Sequence, residues 1–330
     1  MRFIACLTRA YARALARIIE RQAPKPLLSP CSLHSKKLSA MAVLAPSVPN
    51  ASRRYFWQEY PPLVVVGIAW ILGIFMIAAL ADLIAPYTYT ALDLKARLQP
   101  PVGFGGTTRH LLGTDELGRD VLSRLLVSVQ VSLLIAFAST LLSATIGLAL
   151  GFLAAHFKGW LEQVVLTLID FQASIPFMII ALAVLAFFGN TLVLFICLMG
   201  CHGWERSARI TRSLTIAANE QGYANAVHAL GASSWRVYFR HILPNIASTL
   251  IVSMTLTFPE VILLESGLSF LGLGVQPPMT SLGNMVGYGR EYLQTAPWIL
   301  LAPSCVIVLT TFSISLTGDW LRDRLDPTLR

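Results

Sequence analysis

The chain has 330 residues, of which 55% are hydrophobic and 13% charged, about half the charged fraction of roughly 25% in soluble globular proteins. Its 25 Lys and Arg and 17 Asp and Glu are too few to cover the surface of soluble domains, which excludes a soluble fold and implies an all-α, polytopic membrane protein. The formal charge of +8 raises a nucleic-acid role that the placement of the basic residues removes, and the five cysteines (Cys6, Cys31, Cys197, Cys201, Cys305), odd in number and irregularly spaced, imply neither a disulfide framework nor a redox site.

Residues 1–60 read as a cytoplasmic N-terminal extension, partly flexible. Arg9, Arg13, Arg17 and Arg21 recur every four residues, lining one face of a helix suited to the inner membrane surface. An Arg-rich, acid-poor start also resembles a transit peptide, but nothing later supports an organelle. Pro24 to Asn50 is a Pro/Ser-rich linker, and Met41 is an alternative start.

The transmembrane remainder, 61–330, contains runs that approach the roughly 20 residues a helix rising 1.5 Å per residue needs to cross about 30 Å of hydrocarbon. The first span is expected over Pro62 to Ile84, with Asp82 its only charge. The second, Leu125 to Ala155, would be about 46 Å long if wholly helical, so it must tilt or project. Gly147 and Gly151, four apart, give it a small-residue face for close helix packing. The third, about Val164 to Phe188, carries Asp170 and Pro176, and Gly189-Asn190 separates it from a run, Thr191 to Trp204, that is too short to be a span on length alone. The fifth is expected from about Ile246 to Leu273, interrupted by Pro259-Glu260, and the sixth over Trp298 to Thr317.

Charge arbitrates the short run. With six spans and a cytoplasmic N-terminus, 19 of the 25 Lys and Arg fall on inner segments, including the five arginines between Arg206 and Arg240, and six fall outside. Omitting the Thr191 to Trp204 run would move the tail arginines outside. The positive-inside rule therefore favours six transmembrane helices, both termini cytoplasmic, and residues 85–124 and 274–297 on the far side. The basic excess is then a topology signal, and no nucleic-acid partner is expected.

Catalytic constellations are missing. The sequence contains no G-x-x-x-x-G-K-[ST] phosphate loop, no H-E-x-x-H helix and no G-x-S-x-G elbow, so the chain is not expected to be an enzyme or to hold a cofactor. Cys197, Cys201 and His202 sit at helical spacing, but within an apolar span they read as packed thiols and a boundary histidine rather than a metal site.

The informative cytoplasmic segment is Gln221-Gly-Tyr-Ala-Asn-Ala-Val-His-Ala-Leu-Gly-Ala-Ser-Ser-Trp-Arg-Val-Tyr-Phe-Arg-His-Ile-Leu-Pro-Asn245. Two short helices, about Tyr223 to Leu230 and Ser233 to His241, are predicted around Gly231, which suits a left-handed helix end, and Ser233, which suits an N-cap. The string resembles the EAA loop of bacterial ABC-transporter permeases: the triplet position reads Asn225-Ala226-Val227, Gly231 follows in place, and Ile242-Leu243-Pro244 closes the motif. In that family the loop docks into a cleft on the ATPase, which implies coupling roles for Tyr223, Asn225, Ala226, Gly231, Ala232, Trp235, Leu243 and Pro244. Asn225 stands where Glu is usual, leaving no carboxylate there for an ion pair with the partner.

Further strings widen the resemblance. Leu112-Gly-Thr-Asp-Glu-Leu-Gly-Arg-Asp-Val-Leu-Ser-Arg124, Leu263-Leu-Glu-Ser-Gly-Leu-Ser-Phe-Leu-Gly-Leu-Gly-Val-Gln-Pro-Pro278, Thr295-Ala-Pro-Trp298 and Gly318-Asp-Trp-Leu-Arg-Asp-Arg-Leu-Asp-Pro327 are similar to the dipeptide/oligopeptide/nickel permease family, and within it to the C-type subunit. Ser128-Val-Gln-Val-Ser-Leu133 departs from that family's Gly-x-Arg-x-Ser-Leu pattern by lacking the basic residue.

The resemblance implies a multi-pass protein of the bacterial inner (plasma) membrane that supplies half of a translocation path for peptides, nickel or another small solute. It implies a second six-span permease subunit, two cytoplasmic ATPase subunits that bind the ATP, a periplasmic or extracellular solute-binding protein, and membrane lipid as the surround. Ionisable groups inside spans are costly and functional by default, which makes Asp170, Glu260 and Glu265 path candidates, although Asp170 is also placed to pair with a loop arginine. Glu260 and Glu265 lie about 140° apart on an ideal helix, so they need not share a face. A stand-alone secondary carrier or channel is the alternative, but it would call for inverted repeats that the sequence does not display.

Overall fold

The structure is a computed structural model in which residues 61–220, 227 and 231–325 are described; the expectations for residues 1–60 lie outside the described residues. Helix α1 covers Pro62–Ile84, the range predicted. Helix α2, Val121–His156, starts at Asp120, whose carboxylate accepts from the Ser123 N–H as an N-cap. Next come α3, Trp160–Ser174, and α4, Phe177–Phe188, bent by 86° at the break between them. This corrects the predicted continuous third span. Pro176 has no N–H to give the ladder and holds Ile175 in the extended region.

Helix α5, Leu192–Gly200, is capped by the Thr191 hydroxyl, and α6 runs over Trp204–Glu220. Helix α7, Ser234–Val237, passes without a break through a π stretch, Tyr238–Ile242, into α8, Leu243–Phe270. Helices α9, Leu282–Gly289, and α10, Trp298–Leu325, complete the described chain. Two expectations change here. The stretch from Ser233 is the start of the fifth span rather than a separate helix, and Pro259 does not interrupt α8.

By length and apolarity, α1, α2, the joined α7–α8 and α10 can each cross a membrane, and α3–α4 makes a fifth span if the bent pair counts as one. The expected fourth span, Thr191 to Trp204, forms only the nine-residue α5 and a turn, and α6 beyond it is polar.

Side-chain contacts fix the direction of each helix. Ser139 donates to the Ile196 carbonyl at 3.1 Å and Ser143 to the His202 carbonyl at 2.7 Å. Farther along, a Cβ on Gly147 would fall 2.5 Å from that of Ser207, and one on Gly151 would fall 2.6 Å from that of Thr211. Both sets of numbers rise together, so α5 and α6 run parallel to α2, and two glycines set the close approach. Helix α8 runs the other way, with Ser132 against Glu265 and both Ser143 and Thr257 beside Gly203. Helix α10 is antiparallel to α1: Trp70 Nε1 donates to Thr310 Oγ1 at 3.2 Å, and Gly67 packs beside Ser313 and Thr317.

The main apolar core lies where α2, α5, α8, α9 and α10 meet, around Ile135, Phe195, Met199, Ile262, Leu268 and Ile299, all buried. A second cluster, Phe152, Ala218, Val237, Ile242 and Ile246, closes the end of the bundle that carries the loop at Gly231. The opposite end is covered by the α1–α2 and α8–α10 connections. There the buried Asp115 accepts from the backbone N–H groups of Leu117 and Arg119 and from the side chains of Arg119 and Arg124. Trp298 Nε1 donates to the Thr114 carbonyl at 3.2 Å, which ties the start of α10 to the first of the family-like strings.

Candidate functional site

The loop between α6 and α8 is the first of two candidate regions. Tyr223, Asn225 and Ala226 lie outside the described residues. Gly231 is described, with φ +85°, and the Ala232 N–H donates to the Val227 carbonyl at 3.3 Å, the bond that closes a helix ending on a left-handed glycine. A Cβ on Gly231 would meet no atom within 4 Å, so the requirement for glycine is the backbone conformation and not space. The expected Ser233 cap is made without its side chain: Ser233 has extended angles and no side-chain capping bond.

From that turn the chain is anchored on the bundle. Val237 and Ile242 are fully buried against Phe152 of α2 and Ala218 of α6, with Ala232 and Leu243 packed on the same cluster. Tyr238 stacks on Phe152 at 5.3 Å between centroids, and its hydroxyl lies 3.0 Å from His156 Nδ1. Trp235 stands 71% exposed beside Phe239, and Pro244 is exposed at the first turn of α8. The π stretch has a local cause. Pro244 cannot donate to Arg240, and the Leu243 N–H reaches back to the Tyr238 carbonyl. The result is an exposed aromatic face and a left-handed turn on a support continuous with a membrane helix.

The second region is the set of charges between helices. Glu265 is buried in α8. Its carboxylate accepts from Ser269 Oγ at 2.8 Å, from Ser281 Oγ at 2.7 Å and from Ser132 Oγ at 3.2 Å. Ser132 also accepts from the Leu282 N–H at 3.0 Å, so the carboxylate sits at the N-terminus of α9, where the helix dipole favours negative charge. Glu260, five residues earlier, faces elsewhere, as the helical spacing implied. It accepts from Arg206 at 3.0 Å and lies 3.7 Å from His202 Nε2. Asp170 pairs with Arg209 at 3.2 Å, and Glu162 pairs with Arg212. The structure thus places Glu260 and Asp170 on two sides of α6 and separates both from Glu265.

Sequence reasoning missed the partners. Ser128 and Ser132 stand in the string that departs from the family pattern, yet Ser128 hydrogen-bonds Thr280 at 3.0 Å and Ser132 holds Glu265. The signal available was the spacing of two hydroxyls one helical turn apart in an apolar helix. Arg206, Arg209 and Arg212, three apart, carry a similar signal, of which only the pairing of Asp170 with a loop arginine is expected from the sequence.

Comparison with known proteins agrees with this architecture. Residues 147–330 match the family described as binding-protein-dependent transport system inner membrane component, and residues 61–101 match the N-terminal TM domain of oligopeptide transport permease C. The chain is 36% identical over 268 residues to the oligopeptide transport system permease protein OppC of Mycobacterium tuberculosis, covering 81% of this chain and 90% of that one. It is 34% identical over 302 residues to the di/tripeptide transport system permease protein DppC of Pseudomonas aeruginosa, covering 91% and 98%. It is 32% identical over 297 residues to the glutathione transport system permease protein GsiD of Pectobacterium atrosepticum, covering 88% and 97%. With the family matched over more than half its length, and relatives above 30% identity along most of theirs, the chain belongs to the binding-protein-dependent transport system inner membrane components, as a permease of the C type.

Proposed function

We propose that this chain forms half of the translocation path of an ATP-driven peptide importer and that the loop around Gly231 is its docking element for an ATPase. As a family member the chain is a multi-pass inner-membrane permease of a system with ATPase and binding-protein partners. The finer composition, one second six-span permease, two ATPases and one external solute-binding protein, is part of the proposal. Peptides are the substrate class because relatives across most of the chain carry oligopeptide and di/tripeptide names. ATP is bound by the partner subunits, and this chain holds no cofactor of its own.

The observation that carries the coupling role is mechanical. The left-handed turn at Gly231 and the exposed Trp235 rest on buried Val237 and Ile242, and that segment continues without a break into α8. A push on the loop is therefore delivered to a membrane helix, which is the rigid-body shift that alternating access needs. Tyr223, Asn225, Ala226, Ala232, Leu243 and Pro244 complete the docking element in this reading. Asp170 and Glu260 line the path, and Glu265 holds α8, α9 and α2 in register beside it.

Six crossings are supported by the helix directions, and a cytoplasmic side for both termini by the excess of Lys and Arg on the inner segments. Helix α2 and the pair α5–α6 run parallel, which requires the chain to return across the membrane through α3–α4. Disruption of this gene in its own host, followed by uptake of radiolabelled dialanine and of free alanine, tests the function. Loss of dialanine uptake alone, restored by the intact chain, is expected; unchanged dialanine uptake contradicts a peptide importer.

A further inference from the structure

Helix α6 carries three arginines at intervals of three, Arg206, Arg209 and Arg212, each about 4.5 Å farther along the axis. Each is paired with a carboxylate from a neighbouring helix: Glu260 of α8, Asp170 of α3 and Glu162 of α3. No partner comes from α6 itself, so the pairs are contacts between helices. The opposite face of α6 is fixed by the close approach of Ser207 and Thr211 to Gly147 and Gly151. Gly147 stands nine residues before the end of α2, so Arg206 begins the ladder roughly 14 Å short of that end.

The pairs differ in burial along the ladder. Arg212 and Glu162 are 26% and 22% exposed, whereas Arg209 and Asp170 are 56% and 76% exposed. A groove of about 350 Å³ along α6, bordered by Ala173 of α3, is lined by all three arginines and by one carboxylate, Glu205, within the size range of small-molecule sites. Arginine presents several N–H donors in a planar fork that suits a carboxylate. Exposed ion pairs of this kind are weak, and one carboxylate readily replaces another.

We propose that Arg206 and Arg209 form a carboxylate-exchange site, in which the terminal carboxylate of a passing peptide takes the place of Glu260 or Asp170. This rests on the peptide-importer reading and adds the group that recognises the substrate's charged end. Exchange suits a transporter because the arginine is never left without a counter-ion: the resident carboxylate returns as the peptide leaves. The spacing along α6 allows the peptide carboxylate to pass from Arg206 to Arg209 in one helical step.

The test exploits the asymmetry of each pair. Arg209→Gln and Asp170→Asn break the same ion pair, so a structural role predicts equal effects. An exchange site predicts that Arg209→Gln lowers dialanine uptake per ATP hydrolysed about tenfold, while Asp170→Asn retains at least about half, because only the competing carboxylate is gone. The assay uses the whole transporter in proteoliposomes with its binding protein, and assembly is followed by co-purification. Arg209→Lys, which keeps the cation, is expected to retain most uptake, and Arg206→Gln against Glu260→Gln repeats the comparison.

Equal losses in Arg209→Gln and Asp170→Asn, or uptake that falls only in step with assembly, would overturn the proposal. So would a wild-type ratio in Arg209→Gln. If removal of anionic lipid lowers wild-type uptake to the Arg209→Gln level, the arginines serve headgroups and the proposal fails. In all of these outcomes wild-type uptake of dialanine leaves the importer reading standing. A wild-type transporter that moves no dialanine overturns both.

Discussion

Ser281 donates its hydroxyl to the Glu265 carboxylate at 2.7 Å while the same oxygen accepts the Asn284 N–H as the cap of α9. One hydroxyl thus joins the last turns of a membrane helix to the start of a short helix in the connection that follows it. Replacing Glu265 with Ala leaves Ser132, Ser269 and Ser281 without their acceptor and opens a cavity. A loss of about 2–4 kcal/mol is expected, read as a fall in yield and in melting temperature in detergent. Glu265→Gln, which keeps the volume and one acceptor, is expected to lose less.

The packing of α6 on α2 gives a second expectation. A Cβ on Gly147 would stand 2.5 Å from the Ser207 Cβ, so Gly147→Ala forces the helices apart, at about 1–3 kcal/mol of overpacking. Adding Ser207→Gly removes the nearest obstructing atom. The double variant is therefore expected to recover part of the lost thermal stability, and no recovery would show that the contact is not the cause.

The cover at the other end of the bundle depends on Asp115. It is fully buried and bound by Arg119 and by Arg124, itself 5% exposed. Removing one partner of a buried pair leaves the other charge uncompensated, at about 3–5 kcal/mol. Asp115→Ala is expected to abolish accumulation of the protein in membranes, as measured by immunoblot, whereas Glu116→Ala, at a more exposed pair, leaves it near the wild-type level.

Much of this fold was legible in the sequence because membrane spans announce themselves by length and apolarity: α1 and the start of α10 fall where the hydropathy places them. The bend at Pro176 and the join at Tyr238–Ile242 were not legible. Proline has opposite outcomes in the two helices α8 and α3–α4: the chain runs through Pro259 and breaks at Pro176, and only tertiary packing distinguishes them. Gly231 was legible, since a left-handed helix end has few other solutions. Of the ion pairs of α6, the pairing of Asp170 with a loop arginine was legible and Arg209 supplies it; the pairing of Glu260 was not, because Arg206 lies 54 residues away in the chain, and one-dimensional spacing carries no record of such meetings.

Topology is tested by single cysteines placed in a variant whose five native cysteines are serine. Phe104, 83% exposed, lies in the α1–α2 connection and Ser233 in the loop before α8. An impermeant maleimide applied to intact cells is expected to label Phe104→Cys and to spare Ser233→Cys until the membrane is opened. Labelling of Ser233→Cys in intact cells contradicts the six-crossing orientation.

The central claim is that the turn at Gly231 transmits the action of an ATPase to the membrane helices. A Cβ there meets no neighbour within 4 Å, so Gly231→Val acts through its backbone, straining a residue held at φ +85° by about 1–3 kcal/mol. The spans are packed by other residues, and the variant should insert and pair with its partner permease. The decisive measurement is ATP hydrolysis stimulated by loaded binding protein in proteoliposomes, with co-purification of the ATPase, for Gly231→Val beside wild type. The account predicts an inserted, paired permease that loses the ATPase or its stimulation. Wild-type co-purification together with wild-type stimulation would contradict it.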